Sequence, residues 1–198
     1  MVETTSRTRQ ADARREELLR AALRLFAERG FDGTTIADIA TATGTAHGLV
    51  YHYFASKHDL LLTVLERFSF LPELRRLLDV SPERPTVEVL TEISVRFSAL
   101  LRDRADLLRL VSRESQTNPD VAAALGDVMA EGTRLIATYL DARVAAGELR
   151  PHDTTVPARG LFWAIVTMHI AQAPDEGFED ELVDVIVNGL RPARGGPR

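Results

Sequence analysis

Three histidines, His47, His52 and His58, and the chain's single lysine, Lys57, fall within twelve residues. Such a set suits one of two chemistries: imidazoles can ligate a metal, or imidazoles beside an ammonium can meet a polyanion. Metal ligation fits poorly. The histidines are offset by five and six positions, which does not bring two of them to one face of a single helix. No cysteine stands in the chain, and only Asp59 could join them. No metal or other cofactor is expected. Every other basic residue is arginine; either a coding bias favours arginine wherever both serve, or the lysine kept at this one position marks a need for an ammonium.

The elements that must position these groups lie in Thr34–Lys57. Thr34 or Thr35 caps a short helix, and Asp38, three residues after Thr35, completes a capping box. Ile36, Ile39 and Ala40 share one helical face. Gly44, between Thr43 and Thr45, permits the left-handed backbone that ends a helix. A second helix runs through Leu49, Val50, Tyr51 and Tyr53, and Ser56 caps a further one, with Asp59 at the reciprocal position. Small Ala40, Gly44 and aliphatic Val50 suit two helices that cross closely, the spacing of a helix-turn-helix over about 35–54. Val50 and Phe54 should point inward. That leaves His47, Gly48, Leu49 and His52 on the exposed face, where base edges of a major groove would be read. Gly48 costs up to roughly 1 kcal/mol against alanine in a helix. Either close approach to the groove or close packing on the preceding helix accounts for it.

The chain then resembles a known family. Leu23-Arg24-Leu25-Phe26-Ala27-Glu28-Arg29-Gly30-Phe31, Thr34-Thr35-Ile36-Ala37-Asp38-Ile39-Ala40 and Val50-Tyr51-His52-Tyr53-Phe54-Ala55-Ser56-Lys57 look like the DNA-binding domain of TetR-family transcriptional regulators. The resemblance covers roughly residues 12–72. It implies that Tyr51, His52 and Lys57, with Thr34 or Thr35, match positions that touch phosphates. Two departures stand out. Ala46 occupies a position that is usually a capping serine, and Thr45 is expected to take over the cap. Leu49 replaces a frequent threonine, keeping apolar contact with a thymine methyl and losing the hydroxyl.

Composition neither identifies nor opposes this reading. The net charge is −5, but the first 60 residues carry eight charges of each sign, so the deficit lies beyond them. An apolar content of 45% supports a substantial core. No apolar run is long enough for a membrane helix and the N-terminus lacks a secretory signal, so a cytoplasmic protein is expected.

Along the chain, residues 1–13 read as a polar disordered tail. A helix over about 14–29 carries the stripe Leu19, Ala22, Leu23, Phe26, and Gly30 ends it. A fourth helix follows Ser56 and runs to Pro72. Residues 79–86, with two prolines, form a loop, and the division falls near 72/73: a DNA-binding domain over 12–72 and a helical domain over 73–198. Further helices are expected over about 86–102, 105–115, 118–146, 155–172 and 179–190, giving an all-α chain of about nine helices. The helix over 155–172 is apolar on both faces, so something must cover both.

The leading functional reading is a ligand-responsive regulator, a repressor released from a palindromic operator on double-stranded DNA. Its eighth and ninth helices form a homodimer through Leu161, Trp163, Ile165, Leu182, Ile186 and Leu190. A small, largely apolar effector would occupy a pocket lined by Phe97, Leu101, Met129, Tyr139, Phe162, Trp163 and His169. The alternative is a DNA-binding regulator with no small effector, controlled by a protein partner or by abundance. An enzyme is disfavoured: the chain has no G-x-S-x-G, no Gly-rich phosphate loop and no H-E-x-x-H.

Overall fold

The computed structural model describes residues 2–79, 84–173 and 177–191. Among them are ten α-helices and no strand: α1 (Val2–Arg29), α2 (Ile36–Ala42), α3 (His47–Tyr53), α4 (Lys57–Arg67), α5 (Leu71–Leu78), α6 (Thr86–Asp103), α7 (Ala105–Glu114), α8 (Pro119–Ala145), α9 (Thr155–Ile170) and α10 (Phe178–Leu190). The all-α expectation holds. Two elements differ from it. Helix α1 begins at Val2, where a disordered tail was expected, because Ala11, Ala13 and the charged residues Arg14–Glu17 are good helix formers and no Pro or Gly interrupts them. The expected fourth helix stops at Arg67 and a separate α5 begins at Leu71. Pro72 lacks an N–H and its ring would strike the carbonyl of Phe68, so the helix cannot run through it; Pro72 sits instead in the first turn of α5. Of the loop expected over 79–86, residues 80–83 lie outside the described ones.

The chain forms two compact units, Met1–Ser69 with Asp106–Leu125, and Phe70–Ala105 with Gly126–Arg198. The chain passes from the first unit to the second at 69/70. The return of Asp106–Leu125 to the first unit was not expected, and packing explains it. The first core contains Leu18, Leu19, Ala22 and Phe26 of α1, Ile39 of α2, Val50 of α3 and Leu60, Leu61 and Val64 of α4, and Leu107, Leu110 and Val111 of α7 with Val121 of α8 join the same cluster. Burying those four aliphatic side chains is worth more than a division that follows chain order.

In the second unit, Phe70, Phe97 and Phe162 form an aromatic cluster. Phe97 and Phe162 stack at 5.4 Å between centroids, and Phe70 meets Phe97 edge-on at 5.1 Å. Gly132 on α8 lets the Phe162 ring seat on its backbone: a Cβ there would lie 2.1 Å from Cζ of Phe162. The start of α8 is capped by Asn118, whose Oδ1 accepts from the amides of Asp120 (3.1 Å) and Val121 (3.3 Å), with Pro119 at the first helical position.

Gly132→Ala should therefore lower the thermal midpoint, through an overpacking cost of about 1–3 kcal/mol. Calorimetry of the full chain checks this. An unchanged midpoint would mean that the Phe162 ring can move aside freely.

Candidate nucleic-acid interface

Helix α2 begins as its sequence dictates. Thr35 is the N-cap, its Oγ1 accepting from the Asp38 amide (3.1 Å) while the Asp38 carboxylate accepts from the Thr35 amide (2.8 Å). Hydrogen bonds from Thr35, first the side chain and then the backbone, hold the Asp38 carboxyl below the usual carboxylate range, with Arg29 adding to the effect. At the other end Gly44 takes φ +62° and the Thr45 amide donates back to the Ala40 carbonyl at 2.9 Å, which turns the chain into α3. Thr45 does not cap α3. The N-cap is Ala46, with no side-chain cap bond, and the Thr45 hydroxyl pairs with that of Thr43 at 3.0 Å. Thr45 is half-buried in the turn and not on the exposed face.

Helix α3 is short and fastened from one side. Val50 and Phe54 are buried, as expected. The opposite side carries His47, Gly48, Tyr51 and His52, all exposed, with Leu49 half-buried beside them. His47 and Tyr51 pack edge-to-face at 5.2 Å, one helical turn apart. A Cβ on Gly48 would meet nothing within 4 Å. Close packing on α2 therefore does not explain this glycine. It leaves a bare stretch of helix backbone among donors.

Two expected contact residues are used otherwise. Thr34 is completely buried, and its hydroxyl lies within bonding distance of two carbonyls, Gly30 (2.8 Å) and Leu25 (3.1 Å). It staples the α1–α2 corner and is withdrawn from any phosphate; Thr35 is the exposed member of the pair. The Lys57 ammonium donates to the Phe31 (2.8 Å) and Thr34 (3.0 Å) carbonyls and sits over the Phe31 ring, 4.2 Å from its centroid. An ammonium has three donors, and the two carbonyls occupy two of them. Phe31, until here only one residue of the family motif, is the centre of this corner. A phenylalanine directly after a helix-ending glycine was the only signal available.

The second unit holds the other expected site residues. Phe97, Leu101, Met129, Tyr139 and Phe162 are all buried in its core. Trp163 does not join them: it lies on the outward side of α9, 45% exposed, in line with Val156, Gly160 and Thr167. Leu161, Ile165 and Leu190 are buried within the chain itself, which removes them from an intermolecular surface, while Leu182 and Ile186 are half-buried. The face of α9 expected to need an outside cover is thus the Trp163 face alone. His169 is buried, with Nε2 3.0 Å from Oγ of Ser98, and that hydroxyl donates to Glu179. Since the single hydroxyl proton of Ser98 goes to the carboxylate, the imidazole donates from Nε2 and keeps Nδ1 as an acceptor. Burial, and then the charge of Arg102, hold the His169 pKa below its ordinary value, against the pull of Glu179.

Residues 18–64 match the family described as bacterial regulatory proteins, tetR family, and residues 88–185 match the AefR-like transcriptional repressor, C-terminal domain. The HTH-type transcriptional repressor KstR2 of Mycobacterium tuberculosis is 46% identical over 59 residues, covering 30% of either chain. The chain thus spans under a third of that relative's length. The repressor AcnR of Corynebacterium glutamicum is 28% identical over 159 residues, 78% of this chain and 77% of that one. Among solved structures, the regulator FadR of Bacillus subtilis, in complex with stearoyl-CoA, superposes with a TM-score of 0.69 at 21% identity, over 89% of this chain and 98% of that one.

The two glycine and histidine environments make opposite-signed predictions. Gly48→Ala relieves a helix penalty in open space, so it should raise stability by up to about 1 kcal/mol while weakening binding to duplex DNA. Paired denaturation and DNA titrations check this; a variant that binds DNA as well as the parent removes the close-approach reading. The lowered pKa of His169 means that the unfolded chain binds its proton more readily. Stability should then fall as pH drops below about 6.5 toward the lowered folded value, and His169→Gln should flatten that part of the pH profile. Urea melts between pH 5 and 7.5 decide this.

Proposed function

The chain belongs to the TetR family of bacterial transcriptional regulators, and on that premise we propose that it is a repressor that binds a palindromic operator as a homodimer and is released by a small, largely apolar effector. It is a DNA-binding regulator and not an enzyme. The observation that carries the reading is α3: a helix anchored from one side by Val50 and Phe54, presenting His47, Gly48, Tyr51 and His52 outward. A major groove admits such a helix, and bare backbone at Gly48 permits close approach. His47 and Leu49 face base edges and specify. Tyr51, His52 and the third N–H of Lys57 meet phosphates and position. Thr34 takes no part.

The exposed line of Val156, Gly160, Trp163 and Thr167 on α9, with Val185 exposed on α10, supports a second copy as its cover. An aromatic indole at the centre of a mostly small-residue strip is the composition of an interface anchor. Two reading heads then demand an inverted repeat with half-sites about one helical turn, or a multiple of it, apart. For the effector, support comes from the large apolar side chains Phe97, Leu101, Met129 and Phe162, from His169 held as an acceptor at Nδ1, and from the acyl-CoA bound by the structurally similar FadR. The complete packing of Phe97 on Phe162 and of Phe162 on Gly132 favours the second reading, a regulator that takes no small effector. Thermal-shift screening with long-chain acyl thioesters separates the two, because a ligand that prefers the folded state must stabilise it.

Selection of duplexes from a random pool, followed by footprinting, should return an inverted repeat protected across both half-sites. In the same titration Trp163→Arg should convert the dimer to monomer by equilibrium sedimentation and weaken operator binding more than tenfold at nanomolar protein. A dimeric Trp163→Arg variant, or a footprint without a repeat, would overturn this assembly.

A further inference from the structure

The corner between α1 and α2 is gripped from two directions. Lys57 of α4 takes the Phe31 and Thr34 carbonyls, and His58 packs edge-on to the Phe31 ring at 6.3 Å while its Nε2 lies 3.2 Å from the Asp120 carboxylate. The other grip comes from α7. Glu114, a residue only 8% exposed, accepts the Phe31 amide at 3.0 Å through Oε1. The neighbouring Arg113 donates to the Glu28 carbonyl at 3.3 Å, near the C-terminal end of α1. Between these two side chains lies Gly30, at φ +81°, where a Cβ would stand 3.1 Å from both Arg113 Nε and Glu114 Oε1. Here glycine is required twice, for its backbone angle and for the space.

We propose that Glu114 is a positioning residue for DNA recognition: its carboxylate latches the Phe31 amide and so sets the angle at which α2, and through it α3, leaves α1. Three observations carry this. A carboxylate has been brought into the edge of an apolar core that includes Leu110, Val111 and Val121, and burying it there costs free energy unless a donor meets it. The donor it meets is a backbone amide at the corner itself, so the bond fixes main chain and not merely a side chain. The latch residue lies in a segment, Asp106–Leu125, that the chain returns to the reading head from its middle, and no charge on α1–α4 substitutes for it at this amide among the described residues. Without the latch, Lys57 still holds the carbonyl side of the corner, so the first unit stays folded while the α1–α2 angle becomes loose.

The inference rests on the DNA-binding reading, and the experiment separates the two. Full-length parent, Glu114→Gln, Glu114→Asp and Glu114→Leu are titrated against the selected operator and against an unrelated duplex, and amide exchange is followed at Phe31 and along α2. Glu114→Leu removes the acceptor. It should speed exchange at Phe31, lose about tenfold or more in operator affinity and leave binding to unrelated duplex within about twofold, since phosphate contacts alone do not need a fixed head angle. Glu114→Gln keeps an acceptor at the same reach and should stay within about threefold of the parent. Should Glu114→Leu fail to fold, Glu114→Asp decides: its carboxylate falls one methylene short, so it should behave as the latch-broken form. Faster exchange at Phe31 with operator affinity unchanged overturns the proposal, as does an equal loss on operator and unrelated duplex. A parent that binds no duplex at all overturns the DNA-binding reading instead.

Discussion

A six-residue corner, 30–35, joins α1 to α2, and it has more main-chain polar groups than a turn of that length can satisfy by itself. Buried amides and carbonyls must find partners. Here they find them in side chains drawn from α4, α7 and the corner itself: Lys57 on the carbonyls of Phe31 and Thr34, Glu114 on the Phe31 amide, and the Thr34 hydroxyl on the carbonyls of Leu25 and Gly30. The aromatic ring of Phe31 gives the corner its apolar part, 5.6 Å from the Phe26 centroid and beneath the Lys57 ammonium.

Helix α3 shows why so much is spent on the corner. Seven residues with a glycine in the second position cannot hold a helix in water by propensity, because nucleation is unfavourable and the helix is far too short to recover its cost. Its first turn even lacks a side-chain cap. It exists because Val50 and Phe54 are sunk into a core prepared by α1, α2 and α4. The exposed side is then relieved of any structural duty. His47, Gly48, Tyr51 and His52 lie exposed there, and Gly48 carries a helix penalty that no packing contact explains.

The second unit distributes its polar and apolar work differently. Its centre is aromatic and buried, with Phe70, Phe97 and Phe162 in mutual contact and the Phe162 ring on the bare backbone of Gly132. Next to this sits one polar chain, Glu179 to Ser98 to His169, which fixes the imidazole tautomer by using up the only hydroxyl proton. A buried network of this kind is stable when each member is matched.

The local features were legible in the amino-acid pattern: the capping box at Thr35, the turn at Gly44, the inward Val50 and Phe54 and the all-helical course, because each of these depends on residues within a few positions of one another. The family was legible for the same reason, since its motifs are local. What depended on long-range contact was decided only by the tertiary structure. Asp38 marks Thr35 as the cap from three residues away, but only burial shows that Thr34 is withdrawn into the α1–α2 corner as a staple. Lys57 and Phe31 are separated by 26 residues and Glu114 and Phe31 by 83, so no periodicity could announce either bond. Leu161 and Trp163 both read as apolar residues of one helix; which of them faces out depends on what α6 and α10 place against α9, and that is a property of packing, not of pattern.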